Sequence, residues 1–167
     1  GAFHIIQTLY DITLRDVTES VDTWHTDVSC YGLFDNHNAC IGYIYMDLFA
    51  RPHKRQGAWM DDAQSRHLKS DDTIQPPIAM LTCNFAKSER YDFPTLSHDE
   101  VTTFFHELGH CLHHTLTRVD ELSAAGINGV EWDAVELPSQ FFENFCWQKE
   151  TLQSISSHVE TIPTDAP

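Results

Sequence analysis

Positive charge is scarce in this sequence. Ten Lys and Arg stand against 25 Asp and Glu, leaving a formal net charge of −15 over 167 residues. Nucleic-acid binding is excluded as a primary role, because neutralising phosphates needs clustered Lys and Arg that release counterions. The only basic clusters, Arg51 to Arg55 and Arg66 to Lys69, are short. The plain reading of the acidity is solubility; the sharper one is a surface that favours cationic peptides. Cys-x-x-Cys spacing is also absent. The five cysteines (Cys30, Cys40, Cys83, Cys111, Cys146) are odd in number and scattered, which points to reduced thiols and a cytoplasmic setting rather than a disulfide framework. They read as small core residues. No apolar run reaches the length of a membrane span, so no membrane role is expected. No signal peptide opens the chain. The sequence starts without Met, directly in a helical pattern, and is expected to be an excised piece of something longer.

Apolar residues make up 41% and charged residues 21%, a globular balance that rules out wholesale disorder. The length suits one domain with a real core. Phe3, Ile6, Leu9 and Tyr10 recur at helical spacing. Ser29 to Phe34 and Cys40 to Phe49 are aromatic and β-branched runs separated by Asp35-Asn36-His37-Asn38, the chemistry of a hairpin turn. Arg51 to Asp72 is polar and reads as irregular. After the break at Pro76-Pro77, Ile78 to Phe85 reads as a third strand, either an edge onto which a peptide could add or a central buried one. Ser88 to Pro94 reads as a loop.

Ser97-His98-Asp99-Glu100 matches a capping box and opens a helix predicted to run to about Thr117. At 100° per residue, Val101, Phe104, Phe105, Leu108, Cys111 and Leu112 share a core face. Thr103, His106, His110, His113 and His114 share the other. Gly126 to Gly129 reads as a flexible loop, and Asp133 to about Trp147 as a second helix that tolerates Pro138 near its start.

His106-Glu107-Leu108-Gly109-His110 carries the chemistry. Two histidines four residues apart on a helix lie roughly 6 Å apart along its axis and about 40° in azimuth. Their imidazoles can therefore converge on one Zn2+ per chain. Glu107 is rotated aside, where it can act as general base toward a water at the open position. A site of this kind takes a third protein ligand from elsewhere. Glu136, 26 residues after His110, is favoured, with Glu121, Glu131 and Glu143 competing. Asp133 either orients a zinc histidine or caps its helix. His113 and His114 read as packed or solvated side chains rather than ligands, and Cys111 points to the core face.

The segment HELGHCLHH, followed by WDAVELPSQFFENFCW, closely resembles the thimet oligopeptidase family of zinc metallopeptidases (peptidase family M3). YMDLFARPHKRQGAWMDD and PIAMLTCNFA are similar to segments of the same family. The likeness covers nearly the whole chain and is densest over residues 43–62 and 78–150. It implies His106 and His110 as zinc ligands, Glu107 as general base and Glu136 as third ligand. It further implies a zinc-dependent oligopeptidase acting on short peptides. Family members commonly carry Phe at Leu108 and Gly at Gln56. They are several times longer, mostly helical, with a deep channel between two lobes and with clamping Tyr and His residues beyond the point matching Pro167.

The fold expected is therefore α+β. A small, mainly antiparallel sheet packs against the HExxH helix and a second helix carrying Glu136. The chain reads as a single segment, with a hairpin-and-strand part over about 12–85 and zinc-site helices over about 97–157. An internal catalytic-domain fragment of this kind is expected to keep the metal site, to have low or no activity alone, and to self-associate through exposed apolar surface. The rival readings are a structural zinc-binding module and a metal-free interaction domain.

Overall fold

The computed structural model describes residues 1–88 and 95–156. Most of the loop expected at Ser88 to Pro94 therefore lies outside the described residues. The chain opens with helix α1 (Ala2–Tyr10) and builds a five-stranded sheet from β1 (Thr13–Asp16), β2 (Val28–Phe34), β3 (Cys40–Phe49), β4 (Trp59–Gln64) and β7 (Ile78–Phe85). A two-stranded ribbon, β5 (His67–Leu68) with β6 (Ile74–Gln75), sits between β4 and β7 in sequence. Helix α2 (His98–Thr115) follows, then α3 (Leu137–Glu143), a 3-10 turn over Asn144–Trp147, and α4 (Lys149–Ile155).

The sheet runs in the order β1-β2-β3-β7-β4. Every pairing is antiparallel except β3 with β7. The hairpin expected between β2 and β3 is present, its turn tied by the Asp35 carboxylate accepting from the His37 and Ala39 N–H groups. β7 is interior, between β3 and β4, and β1 and β4 are the edges.

The strand β7 alternates strictly, with Ala79, Leu81, Cys83 and Phe85 buried on one face. Register places Ala79 opposite Ile44 and Leu81 opposite Met46, so β3 and β7 share that apolar face. Helix α2 covers it with Phe105, Leu108, Cys111 and Leu112, all buried. The capping box is formed: the Ser97 hydroxyl accepts from the Glu100 N–H, and the Glu100 carboxylate accepts from the Ser97 N–H.

Two expectations are corrected. The stretch from Arg51 to Asp72 contains β4 and β5. Its acidic sequence hid β4 because Asp61 and Asp62 are exposed on a sheet edge, where charge is tolerated and discourages further pairing. The second helix starts at Leu137 instead of Asp133, with Glu136 as N-cap and residues 132–136 in turns. Pro138 explains the late start, since the residue before a proline resists helical geometry and proline suits the first turn. On α2 itself, Glu107 and His114 are buried, which for His114 is the packed alternative of the two expected. His114 sits under Gly126, whose backbone has φ 65°, and a Cβ there would meet the His114 Nδ1 at 2.5 Å.

Candidate active site

Helices α2 and α3 run antiparallel and very close. His98 lies tilted against Trp147 and its Nε2 meets the Cys146 carbonyl at 3.0 Å, while Phe105 stacks on Phe142 at 5.2 Å. At the other end of the contact stands Gly109. A Cβ there would lie 2.7 Å from the Ser139 Cα and 2.9 Å from the Pro138 carbonyl oxygen. Only a residue without a side chain lets the first turn of α3 approach this far.

That approach delivers Glu136 to the histidines. Its Oε2 lies 3.1 Å from His106 Nε2 and 3.0 Å from His110 Nε2. The two imidazole rings stand 4.9 Å apart and nearly perpendicular, at 81°. One donor atom from each of His106, His110 and Glu136 falls within 4.8 Å of the others. Donors around tetrahedral zinc, with bonds of about 2.0–2.1 Å, sit about 3.3 Å apart, so the observed separations are near what such an ion needs.

The protonation pattern makes the same point. His106 Nδ1 lies 2.5 Å from Glu143 Oε1, which places the proton of a neutral ring on Nδ1 and makes it the donor. Nε2 is then left with a lone pair directed at the Glu136 carboxylate. Two lone pairs at 3.1 Å are stable only with positive charge between them, either a second proton or a metal ion. The donor set thus fits a divalent cation with nitrogen and oxygen preference.

Electrostatics agree. Burial holds His110 below its ordinary value, outweighing the nearby Glu136 carboxylate and reinforced by His106. That favours the neutral, ligating imidazole. Glu136 is half-exposed. Burial pushes its carboxyl up, but the Ser139 hydroxyl and the His110 and His106 rings more than offset this and keep it low. Ser139 itself is fully buried against α2, and so anchors the carboxylate.

Glu107 stands apart from the three donors. It is buried, and burial raises its carboxyl above the ordinary value, with Glu136 adding to the rise against His106 and the Met60 N–H. Its helix α2 packs against edge strand β4.

The structure therefore brings His106, His110 and Glu136 together, with Glu107 buried on the same helix as the two histidines. Among the competitors, Glu121 accepts from the Ser123 hydroxyl, and the Glu131 carbonyl only closes a turn with the Ala134 N–H. No bond from Asp133 to a histidine is found among the described residues. Glu143, weighed in sequence as a ligand, instead meets the far nitrogen of His106. The signal was its spacing: seven residues after Glu136 is two helical turns, hence nearly the same face. His114 Nε2 donates to the Gln64 carbonyl, clamping α2 to the end of β4, and His113 is half-buried beside an apolar groove of about 500 Å³. Cys111 lies in the core.

Comparison with known proteins matches the sequence to a family. Residues 1–164 match the model of peptidase family M3, and the chain belongs to that family. It is 50% identical over 161 residues, 96% of its length, to oligopeptidase A of Salmonella typhimurium. It is 41% identical over 168 residues, 98% of its length, to the organellar oligopeptidase A of Arabidopsis thaliana, and 34% identical over 167 residues, 96% of its length, to saccharolysin of Saccharomyces cerevisiae. The chain spans 24%, 21% and 24% of these curated relatives respectively.

Proposed function

We propose that this chain is the catalytic-core segment of a zinc-dependent oligopeptidase that hydrolyses short peptides. The observation that carries the reading is the meeting of His106 Nε2 and His110 Nε2 on one oxygen of Glu136, with the buried Glu107 beside them. His106, His110 and Glu136 would hold one Zn2+, which when bound supplies Lewis acidity and a lowered pKa for water. Glu107 takes the proton from the attacking water and delivers it to the leaving amine. Its raised carboxyl pKa suits a group that must both accept and return a proton near neutral pH.

The peptide adds along the free edge of β4. That strand pairs with the buried β7 on one side only and packs against α2, so an extended substrate on its other side passes the helix that carries the base. The strand part over about 12–85 thus supplies the substrate edge, and the helical part over about 97–157 the metal. A cytoplasmic setting suits the five free thiols, and no helix among the described residues is long and apolar enough to cross a membrane. On its own the chain self-associates through Trp132, Leu137, Phe141 and Trp147, all exposed.

A structural zinc module is the weaker reading. Structural sites close with four protein ligands, whereas three donors converge here and the fourth neighbour is a carboxylate placed as a base. The discriminating experiment is Glu107→Gln in the full-length protein. Zinc content should be unchanged and hydrolysis of a short fluorogenic peptide should fall by about 10²–10⁴-fold. Full activity in that variant would refute the reading.

A further inference from the structure

We infer that Glu143 is the positioning residue for the zinc ligand His106, fixing its tautomer and ring orientation from the side away from the metal. The inference rests on the zinc reading above and adds to it a residue outside the ligand set.

The helix α3 offers two carboxylates to one imidazole. Glu136 is its N-cap and Glu143 its last residue. Seven residues return to nearly the same azimuth and rise about 10.5 Å, so the two carboxylates flank His106 from opposite ends of the ring. Glu136 Oε2 is 3.1 Å from Nε2, and Glu143 Oε1 is 2.5 Å from Nδ1. The second contact pairs a ring nitrogen with a carboxylate oxygen at hydrogen-bond distance.

Two consequences follow for the ring. With its proton held at Nδ1, His106 keeps the Nε2 lone pair free for a cation, which is the state ligation requires. With both ends held, the ring cannot rotate about its own axis without breaking a bond. The geometry of α3 makes this economical: the same close approach at Gly109 that brings Glu136 in also seats Glu143, because Ser139 and Phe142 between them pack on α2. Asp133, the residue that sequence suggested for such a role, is exposed and lies in the turns before α3.

The test uses the full-length protein and metal affinity rather than turnover. Zinc dissociation constants are measured by competition with a chromophoric chelator for wild type, Glu143→Gln, Glu143→Ala and Glu136→Ala, and visible spectra are recorded with Co2+ in place of zinc. Glu143→Gln keeps size and a hydrogen-bond acceptor but removes the charge, so it guards against a folding defect in the alanine variant. Expected is a 10–100-fold loss of zinc affinity in Glu143→Ala and a smaller loss in Glu143→Gln. The Co2+ bands should keep four-coordinate intensity but shift in energy, which mere loosening of the helix would not produce. Unchanged affinity and unchanged Co2+ bands in both Glu143 variants, with zinc lost in Glu136→Ala, overturn the role of Glu143 alone. Unchanged affinity in Glu136→Ala overturns the ligand assignment on which it rests.

Discussion

Gly109 and Ser139 mark the closest approach in the site: a Cβ on Gly109 would stand 2.7 Å from the Ser139 Cα. The obstruction is backbone, which cannot rotate away. Gly109→Ala gains about 1 kcal/mol of helix propensity, but overpacking of this sort costs about 1–3 kcal/mol. The second effect wins, because relief requires α3 to move off α2 and takes Glu136 with it. The expected outcome is weaker zinc binding and a lower urea midpoint than wild type. A variant with wild-type zinc affinity would show that the close crossing does not set the site.

Asp47, near the end of β3, is the second point of leverage. Its carboxylate is 5% exposed and accepts from both Arg51 guanidinium N–H groups at 2.6 and 2.7 Å, from Lys54 Nζ at 2.8 Å and from Trp24 Nε1 at 3.1 Å. Burial pushes its carboxyl up, but these bonds prevail and hold it far below the usual carboxylate range. A depressed carboxyl stabilises the fold above its unfolded value, about 3.9, and that contribution is lost as pH falls toward the folded value. Asp47→Asn leaves Lys54 buried without its charge partner and should cost about 3–5 kcal/mol at pH 7. The gap between variant and wild type, read from urea midpoints, should narrow as pH drops below about 4.

Thiol reactivity should separate one cysteine from four. Cys30, Cys83, Cys111 and Cys146 are buried, and burial pushes Cys30 and Cys146 to about 11, Cys83 to about 12 and Cys111 well above its ordinary value. Thiolate is the reactive form. A disulfide reagent at pH 8 should therefore label Cys40 quickly in the folded protein and all five thiols after denaturation. Rapid native labelling of Cys83 or Cys111 would contradict the core packing of α2 on β7.

Much of this arrangement was legible in the sequence, and the reasons are local. The capping box at Ser97, the 3.6-residue spacing of Phe105, Leu108 and Leu112, and the turn chemistry at Asp35 each act within a few residues. The sequence also brought forward His106, Glu107, His110 and Glu136, of which the structure groups His106, His110 and Glu136. What stayed hidden depends on contacts between distant segments. β4 is a strand because β7 offers it a ladder, in spite of Asp61 and Asp62. His114 is buried because Gly126 and Gln64 close over it. Glu143 meets His106 only because Gly109 lets two helices nearly touch, and a glycine between two histidines gives no sign of that crossing on its own.

Zinc content of the purified full-length protein is the most direct test of the central claim, that His106, His110 and Glu136 together hold one metal ion. Elemental analysis should return about one zinc per chain in wild type and none above background in His106→Ala/His110→Ala, with Glu136→Ala also failing to retain zinc through dialysis against a mild chelator. Retention of a full equivalent in Glu136→Ala, or in the double histidine variant, would contradict the assignment and place the metal elsewhere.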